Sequence, residues 1–150
     1  MIDKSAVGKR GAPFPVLIER GKVIEFAMAV KSQHPAHVAQ VPAVVPPTFL
    51  TTQLFWEKLV EGGNPWALAG MSEERGMHAE QEYSFHGPPP RSGQVLTATS
   101  TITEITEKPP KGGQVLTFVK MRTDFHDEAG ELVAEAILTG VERNPAPEGT

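Results

Sequence analysis

The sequence predicts an α+β fold in which an antiparallel sheet, built mainly from the second half of the chain, is covered by helices from the first half. Three observations predict it. Beyond Gly76 the residues form four successive runs of strand type, with alternating polarity or β-branched composition. Before Glu61 two segments instead repeat apolar residues at helical spacing. Clusters of proline and glycine separate these runs and mark where the chain must turn.

Gly11 to Leu17 is short, apolar and interrupted by Pro13 and Pro15, which suits an edge strand or an irregular lead-in, because proline has no amide to give a central ladder. From Arg20 to Lys31 an amphipathic helix is expected: Val23, Phe26, Ala27 and Val30 share one face, and Lys22, Glu25 and Lys31 lie opposite. Ser32 to Pro47 holds four prolines and few polar side chains. Disorder calls for low hydrophobicity and high net charge, and this loop has neither, so it is expected to lie against protein or ligand. Thr48 to Val60 follows Pro46-Pro47, with Thr48 as a possible cap. Phe49, Leu50, Leu54, Phe55, Trp56, Leu59 and Val60 go almost all the way round this helix, so it is expected to be buried. Periodicity alone leaves two enclosures open, a curved sheet wrapped round the helix or an open sheet with the helix packed on it.

In the second half, His78 to His86 alternates, with Ala79, Gln81, Tyr83 and Phe85 on one side and His78, Glu80, Glu82, Ser84 and His86 on the other. Gly87 to Gly93 encloses three prolines, and neither a helix nor a central strand passes through such a corner. Gln94 to Glu107 is rich in threonine, and its apolar positions change parity between Ile102 and Ile105, the mark of a bulge or of a solvent-facing strand end. Lys108 to Gly113 has the punctuation of a hairpin loop. Gln114 to His126 then alternates cleanly through Val115, Thr117, Val119, Met121, Thr123 and Phe125. Asp127 to Gly130 is a turn by composition, and Glu131 to Glu142 is a strand apolar on both faces, hence central or at a subunit contact. These four strands read as a meander, and the tail Asn144 to Thr150 is expected to fray.

At 150 residues the chain is expected to be a single domain, able to bury roughly 70% of its unfolded surface without staples. No cysteine is present, which excludes disulfides and thiol catalysis. The formal charge of −4 comes without a basic stripe and argues against nucleic acid as a partner. Neither a glycine-rich dinucleotide fingerprint nor a P-loop is present, so no cofactor is expected. His78 and His86 with Glu80 and Glu82 resemble a metal cluster at first sight, but residues of one strand face are more often solvated or subunit-facing, and no metal is expected. The opening MIDKSAVGKR is not a signal peptide, and no run approaches the ~20 apolar residues of a membrane span, so a soluble, cytoplasmic protein is expected.

IERGKVIEFA, PPTF, HAEQEYSFH and SGQVLTATS, in this order, resemble the MaoC-like acyl dehydratases, and more narrowly their N-terminal-type (FAS1-like dehydratase) hot-dog domain, across roughly Gly11 to Arg143. The resemblance implies a hot-dog fold, a curved antiparallel sheet wrapped round a central helix. It implies binding of an acyl-CoA or acyl-carrier-protein thioester. It also implies assembly in pairs, as a homodimer or as a heterodimer or heterotetramer with a MaoC-like subunit. Catalytic members of the family add water across an enoyl thioester, or remove it, with an Asp and a His in a D-x-N-P-x-H motif. Ser32 to His37 (SQHPAH) corresponds to it, keeping Pro35 and His37 but with Ser32 for Asp and His34 for Asn.

That departure bears on the chemistry. Hydration needs one group to take a proton from water and another to supply one at the neighbouring carbon, and serine is no base near neutral pH without an activator. His37 is the stronger catalytic candidate and His34 the weaker, since imidazole titrates in the useful range. Donors for an enolate oxygen would begin at Thr48 or Phe49, because Pro46 and Pro47 have no amide hydrogen. Phe49, Phe55, Trp56 and Trp66 are candidate walls of an acyl slot, with core packing as the ordinary alternative. Glu61 to Arg75 is a candidate rim. Three functions compete: a hydratase or dehydratase subunit, a non-catalytic acyl-binding or assembly module, and a hot-dog thioesterase. The last needs a carboxylate near the buried helix, where only Glu57 is found.

Overall fold

The computed structural model describes residues 2–72, 74–111 and 114–145. Its framework is one five-stranded antiparallel sheet: β1 (Phe14–Leu17), β2 (Gly76–Phe85), β3 (Val95–Lys111), β4 (Gln114–His126) and β5 (Leu132–Pro145), in the order β1-β3-β4-β5-β2. The expected meander is therefore corrected. β3, β4 and β5 follow one another, but β2 pairs with β5, so the proline corner carries the chain across the sheet to its far side. Alternation tells which face a strand buries and nothing about its neighbour. β1 is an edge strand, and β5 lies inside the sheet, as its two apolar faces imply.

Two irregularities shape the sheet. Register shifts between Ile102 and Glu104, where the parity change falls, and so restores Ile105 to the inner face opposite Val119. A second shift lies between His78 and Glu80, and for this reason Ala79, expected inside, is exposed while Gln81, Tyr83 and Phe85 turn inward. The expected hairpin loop is shorter than its composition suggests, since Lys108 pairs with Leu116 and Lys111 with Gln114; Gly112 and Gly113 lie outside the described residues. Asn144 and Pro145, expected to fray, pair with Val115 and Gln114 as the last rungs of β5, and residues 146–150 lie outside the described residues.

Helix α1 (Arg20–Ala29) buries Val23 and Ala27. A short helix α2 (Pro35–Val38) interrupts the apolar loop. That loop lies on the proline corner: Val45 N–H donates to Pro90 O, Ser92 N–H donates to Ala43 O, and Ala43 and Val45 are buried. The expected long helix from Thr48 is corrected to a 3₁₀ turn, Phe49–Thr52, that runs into α3 (Gln53–Glu57). Thr48 stands at its start without a side-chain capping bond. The helix, expected to be buried on most sides, is buried on one. Phe49, Leu50, Thr52, Gln53 and Glu57 face inward, while Phe55 is 70% and Leu59 76% exposed. A helix apolar all round carries no signal for which side the sheet takes.

The core divides along the strands. At one end Phe14, Val16, Leu96, Phe125 and Ala134 pack with Phe49, Leu50 and Val23; at the other Ile102, Val119 and Met121 pack with Ala69, Trp66 and Met71. Ile2 and Ala6 belong to the second cluster, so the packed chain begins before Gly11. Gly8 N–H donates to Ile102 O and Gly11 N–H to Ser100 O, which ties this lead-in along β3. Among the described residues, no helix is long and apolar enough to cross a membrane.

Candidate functional site

Lys31 sets the start of the loop that matches the motif. It ends α1 in the left-handed region at φ 58°, with its own N–H donating to Met28 O and Ser32 N–H donating to Ala27 O, a helix stop usually built on glycine. Ser32 Oγ then accepts from His34 N–H at 3.4 Å, and His34 Nδ1 accepts from Ala36 N–H at 3.2 Å, which makes His34 the N-cap of α2 with Pro35 at its first position. Ser32 and His34 are thus both engaged in local backbone support.

His37 differs. It is half-buried, and its Nδ1 lies 2.8 Å from Val44 O. A carbonyl oxygen can only accept, so Nδ1 carries a proton, and in the neutral ring Nε2 keeps the lone pair a general base requires. Val44 is held in turn by its own N–H to Ala36 O and by a bridge to Arg91. The His34 and His37 rings stand 5.4 Å apart, so the structure brings the two together.

The start of the buried helix offers less than expected. Phe49 N–H donates to Pro46 O at 2.9 Å, leaving Thr48 as the remaining amide of the two candidates for an oxyanion, and Thr48 is exposed. The Phe49 ring is fully buried and meets Phe26 edge-on at 5.5 Å, so its assignment to a slot wall is corrected: it is core. Phe55 points outward, and Trp56 is half-buried against the first cluster.

Trp66 does line a pocket. A cavity of about 280 Å³ lies between Leu54, Trp66, Met71, Met77, Leu138 and Gly140, with Asn64, Ser72 and His78 as its polar groups. Apolar walls with a few polar groups are the usual make-up of a small-molecule site. It sits at the end of the sheet opposite His37. The corner beside Val44 follows Phe85, the partner of Ala134, and from there to Gly140 β5 runs six residues, about 20 Å. The structure therefore does not bring His37 and Trp66 together within one chain. Glu142, fully buried on β5, anchors the pocket's rim: its Oε2 accepts from Ser72 N–H at 2.7 Å and its Oε1 from Arg75 at 3.1 Å. Burial alone would raise this carboxyl, but the Ser72 amide and the Arg75 guanidinium outweigh it and hold the group below the usual carboxylate range.

Between the two ends runs a polar strip under the helix. Gln53 Nε2 donates to Thr123 Oγ1 at 2.8 Å, and Thr123 Oγ1 lies 2.8 Å from Ser100 Oγ. Glu57 follows one helical turn after Gln53; it is 1% exposed, and burial pushes its carboxyl up to about 7. Sealed in this way it cannot reach a substrate, which removes the feature that motivated a thioesterase. Thr123→Val is expected to cost about 1–3 kcal/mol, because it leaves the Gln53 amide buried without an acceptor; a urea melt checks this. Sequence reasoning passed over Met71, Gln53 and Glu142. One signal was available, a glycine at 140 inside an otherwise apolar strand, which marks close approach of another group.

The curved antiparallel sheet, with a helix laid on its inner face and an apolar pocket beside it, is a hot-dog architecture of the MaoC-like dehydratase type. Residues 5–136 match the FAS1-like dehydratase domain region, and the chain belongs to that family. It is 34% identical to a UPF0336 protein of Streptomyces griseus over 95% of each chain. Among solved structures, C-terminally truncated HadBC, the 3R-hydroxyacyl-ACP dehydratase complex of Mycobacterium tuberculosis, superposes with a TM-score of 0.70 at 26% identity, over 91% of this chain and 96% of that one. A MaoC-like dehydratase gives 0.71 at 25% identity, over 93% of this chain and 42% of that one.

Proposed function

We propose that this chain acts as one hot-dog domain and one subunit of an enoyl-thioester hydratase or (R)-3-hydroxyacyl dehydratase. Its substrate would be carried on CoA or acyl carrier protein, and a MaoC-like partner with the full Asp and His motif would complete the chemistry. The observation that carries the reading is the loop from Ser32 to His37. It retains a histidine in the base-competent tautomer, while the position of the motif's carboxylate holds a serine whose oxygen supports a turn. A base without its carboxylate partner lacks the second group that hydration needs. Family membership supports the reaction class, and the 3R-hydroxyacyl-ACP dehydratase HadBC, which this chain resembles, is a complex. Phe55 on α3 and Leu59 in the turn just beyond it, both largely exposed, leave apolar surface that a partner subunit would cover.

The test is to purify the chain alone and together with a MaoC-like subunit, and to follow hydration of crotonyl-CoA and longer enoyl-CoA thioesters. The lone chain is expected to be inactive and the complex active, with His37→Ala in the complex lowering turnover about a hundredfold. Full activity of the lone chain that survives His37→Ala would contradict a shared site. A second reading, a non-catalytic acyl-binding or assembly subunit, is favoured by the structural engagement of both Ser32 and His34. Unchanged turnover in a complex carrying His34→Ala and His37→Ala would decide for it.

A further inference from the structure

Met71 occupies an unusual place. Its thioether lies across two glycines on neighbouring strands: a Cβ built at Gly140 on β5 would stand 2.7 Å from Met71 Cε and 3.1 Å from Sδ, and one at Gly76 on β2 would stand 3.3 Å from Met71 Cε. The end of the Trp66 ring meets the same Gly140 position at 3.1 Å. The strands thus give up two side chains where Met71 and Trp66 come down on the sheet, and both residues line the pocket. Methionine is unbranched, with three soft torsions, so it is the wall that can move without disturbing the strands beneath. What fixes it is the rim: the next residue, Ser72, is bonded to buried Glu142, which also holds Arg75, and Ser72 O accepts from Gly76 N–H at 2.7 Å.

We propose that Met71 is the adjustable wall that sets how long an acyl tail this pocket accepts, and that Glu142 positions it through Ser72 and Arg75. The inference rests on the reading of the chain as an acyl-thioester protein. Adding a methyl group at Gly140 has to push Met71 into the cavity and shorten it. Removing the Met71 side chain has to deepen it. The carboxylate of Glu142 is not part of the pocket wall and acts only through the rim.

Binding of butanoyl-, octanoyl- and hexadecanoyl-CoA to the full chain, read from Trp66 emission in a Trp56→Phe background, tests this directly. Met71→Ala is expected to shift the preference toward longer tails and Gly140→Ala toward shorter ones, by about fourfold for each methylene that gains or loses its place. Glu142→Gln is expected to weaken the discrimination between lengths, whereas a merely structural role would lower stability and leave the length profile in place. Met71→Leu conserves volume and is expected to keep the parent's length profile, and Met71→Phe, which fills the cavity, serves if Gly140→Ala does not fold. A length profile identical to the parent in folded Met71→Ala would overturn the proposal, as would folded protein that binds none of the thioesters. Length shifts as expected, in a chain whose partner complex hydrates nothing, would leave the pocket assignment standing and defeat the hydratase reading alone.

Discussion

Replacing Glu57 by glutamine is expected to raise stability at about pH 8 by about 3 kcal/mol and to flatten its dependence on pH. The carboxyl is 1% exposed and faces the underside of the sheet from α3. Burial pushes it up to about 7 from an ordinary 4.5, a rise that the Lys58 charge and the Gln53 amide reduce without reversing. A carboxyl whose folded value is raised holds its proton more tightly in the native state than in the unfolded chain. Between about pH 4.5 and about pH 7 the folded protein therefore binds more protons, stability falls as pH rises, and above about pH 7 the loss is complete. A tenfold change in acidity between the folded and unfolded chain corresponds to about 1.4 kcal/mol, so the rise from 4.5 to about 7 sets the size of the effect. Glutamine has the same shape and no charge to desolvate, and the unpartnered Gln53 Oε1 one turn away is an acceptor of the kind its amide needs. Urea melts of both proteins at about pH 5 and about pH 8 check this. Similar stability at the lower pH, with the variant ahead at the higher, is the expected result. A parent protein as stable at the higher pH as its variant would show that the carboxyl finds solvent or a partner.

What could be read in the sequence follows from what periodicity encodes. The alternation from Gln114 to His126 returned β4 residue for residue, because every second side chain enters the core between two neighbouring strands. The parity change after Ile102 marked a bulge for the same reason. Sheet order was not legible, since β2 looks the same whether it pairs with β3 or with β5. Nor was the inner face of the helix, where apolar residues surround the axis and the sheet chose Gln53 and Glu57 over Phe55 and Leu59. For the site, the loop from Ser32 to His37 could be located by its spacing, but not the separate duties of its histidines. These depend on Val44 O and Ala36 N–H, which only the folded loop supplies. The pocket around Trp66 joins Leu54 and Met71, from the same stretch of chain, to Gly140 on β5, and no local pattern connects them.

Phe49→Ala is expected to be the most damaging of these substitutions, at about 3–5 kcal/mol. The ring is fully buried among Phe14, Val16, Leu50 and Leu96 and stands edge-on to Phe26, with an interplanar angle of 78°. Truncation removes both the transfer free energy of the ring and its contacts with Phe26, and the surrounding strands cannot close on the space because their ladders hold them apart. For a chain of this size the midpoint of thermal unfolding should fall by roughly 2–4 °C for each kcal/mol. Phe55→Ala, seven-tenths exposed on the same helix, is expected to change stability by no more than about 0.5 kcal/mol. The contrast decides between core and pocket wall for Phe49. A wall residue would yield a stable variant with altered thioester binding, whereas a core residue yields an unstable one whose surviving folded fraction binds as before. The consequence extends beyond the cavity itself, because Phe49 opens the turn that leads into α3. When it loosens, Gln53 and Glu57 lose their fixed approach to the sheet, and the Thr123 and Ser100 hydroxyls lose the amide that joins them to the helix. Thermal and urea melts of Phe49→Ala and Phe55→Ala side by side check the pair, and equal stability of the two variants would refute the placement of Phe49.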